Sequence, residues 1–265
     1  MTSIQKIIKY AAIAFALFII ISIVVGIVES IGWLMPADDD ITYGTSSFEP
    51  KGEPRDLEID IYAADLTIKT GETFWVETNN DYINCKQNGD TLVIKEKKHN
   101  WFRKNNKSKL TIYLPEGYTF DETAIDCGAG KVNIEELRTE ELDMDLGAGE
   151  VLIEALYVER EADVDGGAGK IAISSGEITD LDLDLGVGEF VCEAFIYGDS
   201  DIDCGVGSVS LVLKGNRDDY RIRLEKGIGN AYLEGEGMTG NQVYGDGYNR
   251  IDIEGGVGNI DIRFE

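Results

Sequence analysis

The sequence is poor in the residues on which most catalytic sites depend. It contains a single histidine, His99, which excludes triads built on a histidine base and metal sites with several histidine ligands. Carboxylate pairs are abundant, but they recur with a repeat in the chain and so mark no single catalytic position. The sequence therefore predicts a protein that is not an enzyme. A β-helix polysaccharide lyase is the remaining enzyme alternative, although the long loops around a cleft that such an enzyme needs are missing.

Basic residues are scarce as well. The 265 residues include 24 Lys and Arg against 50 Asp and Glu, which gives a net charge of −26. Most of the excess lies in residues 121–265, with 34 acidic and 11 basic side chains. Because such a surface repels a phosphate backbone, we expect no nucleic-acid partner.

Helical periodicity is absent after residue 40, but one long apolar run precedes it. Tyr10 to Val28 is a stretch without a charge, and a run of roughly 20 residues is long enough for one transmembrane helix. Lys6 and Lys9 precede it, so the positive-inside rule predicts a cytoplasmic N-terminus and an extracellular remainder. A cleaved signal peptide is the alternative, but the run is longer than usual and no Ala-X-Ala site follows it. We therefore divide the chain into a cytoplasmic N-terminus and membrane helix (1–35), a linker (36–56) and one further domain (57–265).

The domain is dominated by seven Gly-X-Gly triplets. Their spacing is nearly constant over the first five triplets and longer before each of the last two. A constant period of about 20 residues is typical of stacked units, each too small to bury its own apolar face. No helix and no third glycine follow the triplets, so they are not phosphate loops. The glycines predicted to form structural corners are Gly128, Gly130, Gly147, Gly149, Gly167, Gly169, Gly186, Gly188, Gly205, Gly207, Gly227, Gly229, Gly256 and Gly258.

Each unit reads as two short strands joined at its triplet. In the first unit Ile125, Cys127 and Ala129 share one face by period-two alternation, while Val132 and Ile134 face inward after a shift of one residue. Paired glycines suit a bend where a side chain would clash. A less regular unit at 57–68 precedes the first triplet, and strand-like runs follow at 74–78, 91–95 and 110–114. The predicted fold is all-β: a parallel β-solenoid of about 20-residue coils, roughly 50 Å long.

The four cysteines are not predicted to form the obvious disulfide. Cys127 and Cys204 occupy the same offset in units four coils apart, about 19 Å, whereas a disulfide needs Cα atoms within about 7 Å. Both are read as small core residues. The sequence does not place Cys85 and Cys192 well enough to assign a pairing.

Acidic residues recur at two fixed offsets before each first glycine. In a stacked fold both offsets point outward, which produces parallel columns of carboxylates that repel one another. Divalent cations would relieve that repulsion, and a ladder of oxygens suits Ca²⁺. The alternative is a solvated face that keeps the protein soluble. The candidate Ca²⁺ ligands, in a protein otherwise expected to need no cofactor, are Asp126, Asp145, Asp165, Asp184 and Asp203.

A basic segment interrupts the acidic chain. Residues 95–109 hold seven of its 24 basic residues, with Trp101 and Phe102 at the centre. Basic residues around exposed aromatics suit an anionic lipid surface or an acidic wall polymer. Alternatively, the two aromatics fold back over the open end of the coil stack. The residues predicted to contact an anionic ligand are Lys97, Lys98, Trp101, Phe102, Arg103 and Lys104.

The repeated Asp-X-Gly-Ala/Val-Gly unit, the strand Thr111–Pro115 and the preceding basic Trp-Phe loop together resemble the bacterial putative-adhesin family, a domain of unknown function in membrane-anchored envelope proteins. The resemblance covers about residues 57–265. It implies a β-solenoid at the cell surface and a role in envelope-stress sensing. The departures, Tyr62-Ala63-Ala64 in place of the first triplet and cysteines at 127 and 204, do not threaten the fold.

From these observations we expect a single-pass, cell-surface module that binds or scaffolds without catalysis. The expected partners are the membrane and, beyond it, cell-wall polymers, anionic lipid or an envelope protein. A signalling accessory that acts through the anchor is the alternative from another class.

Overall fold

A computed structural model describes residues 45–97, 108–239 and 241–265 of the protein. The predicted membrane helix, residues 36–44 of the predicted linker and residues 98–107 of the basic segment lie outside these ranges. Within them, no helix has the length and apolar character needed to cross a bilayer. The described part is all-β, apart from a short 3-10 helix at Arg217–Asp219.

One mostly parallel sheet contains the strands, which we number in chain order. They are β1 (Ser46–Phe48), β2 (Asp56–Ile61), β3 (Asp65–Thr70), β4 (Trp75–Thr78), β5 (Ile83–Asn88), β6 (Thr91–Glu96), β7 (Lys109–Leu114), β8 (Thr119–Ile173), β9 (Gly176–Thr179), β10 (Leu181–Tyr197), β11 (Asp199–Leu213), β12 (Tyr220–Leu233), β13 (Glu236–Gly237), β14 (Gln242–Tyr244) and β15 (Asn249–Phe264).

Successive repeats pair in parallel with equivalent residues side by side. Asp184 of β10 pairs with Asp165 of β8 and with Asp203 of β11, and Gly188 likewise pairs with Gly169 and Gly207. The 55-residue β8 contains three repeats in itself. The period predicted from the triplets is therefore the strand register of the sheet, an arrangement consistent with a β-solenoid.

Backbones approach closely at the glycine triplets. A Cβ atom at Gly147 would lie 2.2 Å from the carbonyl oxygen of Gly128, and one at Gly149 would lie 2.0 Å from that of Gly130. The second glycine of most triplets also has a positive φ, such as +138° at Gly130. The φ of Gly147, a first glycine, does not lie in the left-handed region. The first glycine is thus required by close approach, and the second often by backbone conformation too.

Burial shows three straight segments, rather than the predicted two, in the first two repeats of β8. In the first repeat of β8 the buried residues change phase between Cys127 and Val132, between Ile134 and Leu137, and between Thr139 and Leu142. The inward positions predicted for Ile125, Cys127, Val132 and Ile134 are confirmed. The third segment was missed because only the glycine bend has a recurrent sequence signature.

The middle residues of the triplets do not point into the core, so the prediction for Ala129 is wrong. Ala129 and Ala148 are exposed, and Ile228 is 45% exposed. The alternation of buried residues ends at Cys127 and resumes out of phase at Val132, so the middle residue of the triplet lies on the outside of the bend. These apolar residues instead form an outward column along it.

Antiparallel strands close both ends of the sheet. At the first end β5 pairs with β6, while β1 and β4 extend the sheet beyond β7; at the other, β13 and β14 pair with β12. Residues 46–48, which the sequence analysis assigned to the linker, form β1, and Pro50 and Pro54 beyond β1 are buried. Paired, short edge strands leave little free edge for other chains to join.

The last two repeats do not follow chain order. β15 lies between β11 and β12 and pairs in parallel with both. The two longer spacings between triplets fall at this inversion.

All four cysteines are free, and Cys127 and Cys204 are core residues as predicted, 4% and 5% exposed.

Candidate functional site

A groove of about 1030 Å³ lies beside the glycine bends, and we call it the acidic groove. The first glycine of every triplet lines it, together with a few other residues such as Leu146, Leu185 and Lys226. One acidic residue from each repeat also lines it. In spatial order these acids are Asp126, Asp145, Asp165, Asp184, Asp203, Glu254 and Glu225.

Strand register places these acids in a single row. Asp60 of β2 pairs with Asp126, which extends the row by one position beyond the groove. Neighbouring strands are about 4.8 Å apart, so the seven groove acids span roughly 29 Å. The five predicted aspartates are all exposed and adjacent in the row, so the structure brings this predicted set together.

The five aspartates have no charged partner among the described residues. Basic residues stand only near the ends of the row. Lys95 pairs with Asp60 in the strand register and contacts the Glu58 carboxylate at 2.6 Å. At the far end Arg223 forms ion pairs with Glu225 and Asp252. The middle of the groove is therefore a field of uncompensated negative charge.

The pKa values of two members of the row, Asp126 and Asp203, are raised. Partial burial, followed by the charges of Asp60 and Asp145, raises the pKa of Asp126 above its usual range. Partial burial and then Glu254 and Asp184 raise the pKa of Asp203. Both effects favour the protonated form in the folded protein.

A second acidic column runs beside the first, two residues earlier in each repeat. It passes through Asp143, Asp163, Asp182, Asp201 and Asp252. Burial first, and neighbouring aspartates second, raise the pKa values of three of its members. The two columns together make this face a surface that attracts cations.

No three histidine, cysteine or carboxylate side chains in the described ranges converge in the way a metal cage requires. The donors form a line, one from each strand, rather than the six to eight oxygens around one point that Ca²⁺ prefers. The calcium ladder therefore stays a prediction. A linear donor set is better matched to a ligand with several separated positive charges.

The basic segment leaves the domain at the first end of the sheet. Its residues Lys98, Trp101, Phe102, Arg103 and Lys104 lie outside the described ranges, and Lys97 is exposed, so its ligand role stays a prediction. The two stems of the segment are held together, since the Asn80 side-chain amide donates to Glu96 Oε1 at 3.0 Å and to Ser108 Oγ at 2.8 Å.

Glu96 also has a role that the sequence did not indicate. Its Oε2 accepts the backbone N–H groups of Tyr62 at 2.8 Å and Ala63 at 3.3 Å. These residues occupy the place of the first triplet, because the Tyr62 carbonyl accepts the Ala129 N–H at 2.9 Å. The sequence did contain a signal for this role. Glu96 is a carboxylate at a position that is apolar in the two neighbouring repeats, where Ile61 and Cys127 stand.

Nucleophilic chemistry has no support in the cysteines. Burial raises the pKa of Cys192 to about 12, and that of Cys127 to about 11. Both thiols stay protonated near neutral pH and face the core, where they pack as apolar groups.

Solved structures of low sequence identity resemble the described fold weakly. A putative cell adhesion protein from Clostridium sporogenes is 19% identical, with 84% of this chain and 98% of that one covered and a TM-score of 0.35. A putative adhesin from Bacteroides fragilis is 17% identical, with 82% and 95% covered and a TM-score of 0.41. A putative lipid binding protein from Parabacteroides distasonis is 16% identical, with 82% and 96% covered and a TM-score of 0.36. These similarities concern the fold alone.

No curated protein matches the chain. The Toastrack DUF4097 family matches it over residues 55–263, which includes every strand from β2 to β14 and nearly all of β15. The resemblance to a domain of unknown function that the repeat suggested is thereby confirmed at the level of the family. The protein is a member of the Toastrack DUF4097 family.

Proposed function

We propose that this protein is a non-enzymatic binding module whose acidic groove holds a ligand with several positive charges in a line. The five adjacent aspartates of the row, which have no charged partner among the described residues, carry this proposal. A ligand of this kind, such as a polyamine or a lysine-rich chain, would neutralise several carboxylates at once and relieve their mutual repulsion. The glycines that line the groove let an extended chain approach the backbone at each triplet.

The proposed setting is the cell surface. The apolar run 10–28 would anchor the chain in the membrane with the β-domain outside. Protease treatment of intact cells tests this arrangement, since an external β-domain is digested while a cytoplasmic one is protected. A role in envelope-stress sensing, or in signalling through the anchor, requires that topology.

The test of the groove uses spermine and an octalysine peptide as probes. The triple-Asn variant, Asp145→Asn, Asp165→Asn and Asp184→Asn, removes three adjacent carboxylates from the centre of the row. Its matched control, Glu154→Gln, Glu159→Gln and Glu236→Gln, removes the same charge from exposed positions outside the groove.

Isothermal titration at low salt should show probe binding to the unmodified protein and the control. The triple-Asn variant should bind at least tenfold more weakly, because a tetravalent ligand loses several close ion pairs. Raised salt should weaken all of the binding. Equal loss in the triple-Asn variant and the control would mean that only net charge matters, and the groove proposal would fail.

A further inference from the structure

The last strand of the chain lies inside the sheet rather than at its edge. β15 separates β11 from β12 and pairs in register with both along nearly its whole length. We propose that β15 is an exchangeable strand, and that the slot between β11 and β12 accepts residues 249–264 of a second copy of this chain. Two copies would then form a strand-exchanged dimer. This inference goes beyond the binding function and does not depend on it.

The slot is specific for this strand. Across one edge Arg250 approaches Asp199 at 3.3 Å, and Glu265 approaches Lys214 at 2.7 Å. Across the other, Arg223 approaches Asp252 at 3.3 Å. Because a second copy carries the identical strand, it makes the same contacts and buries the same apolar residues, including Ile251 and Ile253.

Withdrawal of β15 leaves two edges that match each other. Gly207 and Gly229 both align with Gly258, and Asp201 and Arg223 both align with Asp252. When the slot is empty, β12 can therefore pair directly with β11, glycine beside glycine and Asp201 beside Arg223. This closure keeps the backbone hydrogen bonds satisfied, which lowers the barrier to releasing the strand.

The connection to β15 can serve as the hinge. Residues 234–239 and 241–248, the described part of this connection, contribute the short strands β13 and β14, which pair with β12. Straightening these short strands breaks few ladder bonds. In the exchanged dimer each groove receives its Glu254 from the other copy, so exchange would also make the acidic groove a shared site.

Cysteine pairing tests the exchange. Ser208 pairs with Asn259 in the register of β11 and β15, and a separation of about 4.8 Å between paired strands suits a disulfide. Chains with Ser208→Cys alone and chains with Asn259→Cys alone, both in a Cys85→Ser background, are unfolded together, refolded and oxidised. Exchange predicts a covalent dimer with one chain of each kind, in a yield that rises with protein concentration.

Two controls define the outcome. A chain with both Ser208→Cys and Asn259→Cys should form its internal disulfide, which shows that the register is correct. A mixture of Glu154→Cys and Asn259→Cys chains reports chance collision between exposed thiols. An internal disulfide in the double variant, with no mixed dimer above the collision control, would overturn the proposal.

Shortening the hinge is a second test. Deleting residues 242–246 leaves too short a path back to the start of β15 within one copy but not between two, so the variant should be dimeric by light scattering. Inserting a short Gly and Ser segment at the same place should instead favour the monomer. A folded, monomeric deletion variant would contradict strand exchange, and if that variant does not fold, the cysteine mixtures decide.

Discussion

Substituting Gly147 by alanine tests the close approach of repeats directly. The added Cβ would lie 2.2 Å from the Gly128 carbonyl oxygen and 3.0 Å from its carbonyl carbon. The oxygen is about 1 Å closer than van der Waals contact allows, and both atoms are backbone, so the two repeats must separate locally. Overpacking costs about 1–3 kcal/mol, and one or two weakened ladder bonds add about 0.5–1.5 kcal/mol each. We therefore expect a loss of about 2–5 kcal/mol in the free energy of unfolding.

Two control substitutions separate contact from conformation. Gly117→Ala has open space but a φ of +71°, so it should cost only about 1 kcal/mol of backbone strain. Gly237→Ala has neither a clash, with its nearest atom at 4.0 Å, nor a left-handed φ, and should be nearly neutral. Urea unfolding of residues 40–265 measures the free energy of unfolding of all three variants. In a separate thermal scan, the melting temperature of Gly147→Ala should fall by roughly 4–20 °C. If Gly147→Ala and Gly237→Ala have the same melting temperature, the backbones of neighbouring repeats do not approach each other at Gly147 as described.

Three further predictions concern the charged surfaces. The folded-state pKa values of Asp126 and Asp203 are raised, so the folded protein binds protons more tightly than the unfolded chain. Its stability should therefore rise as pH falls from 7 toward about 5. The triple-Asn variant should show a shallower rise, and a steady fall in the stability of the unmodified protein would contradict the reasoning. Millimolar Ca²⁺ should raise the melting temperature at pH 7 if the row binds it, more in the unmodified protein than in the triple-Asn variant, and no shift in either would leave the row without a calcium role. If the basic segment contacts an anionic surface, serine at four of its positions should abolish sedimentation with phosphatidylserine vesicles, and equal binding by both forms would remove that role. Those four positions are Trp101, Phe102, Arg103 and Lys104.

The repeat made most of the sheet readable from the sequence. Period-two alternation located Ile125 and Cys127 in the core, and the fixed spacing of the triplets set the strand register. The outward position of the aspartates followed from the same alternation. Local pattern was sufficient because each repeat pairs only with copies of itself.

Features that depend on contacts between distant segments were not readable. The order β11, β15, β12 satisfies the same local pattern as simple chain order, so the sequence could not distinguish them. Glu96 accepts hydrogen bonds from two N–H groups that are 33 and 34 residues away in the sequence. The period of the repeat does not predict which residues lie side by side at that separation.

Because different strands close the two ends of the sheet, a whole repeat can be added to or removed from the middle without disturbing either closure. Each inserted repeat would bring one more carboxylate and lengthen the row by about 4.8 Å. The distance over which charges can be matched is therefore set by the number of repeats, in discrete steps. Relatives that differ by one repeat would differ in the length of ligand they accommodate while keeping the same cross-section, so duplication within a gene could adjust reach without redesigning a binding site.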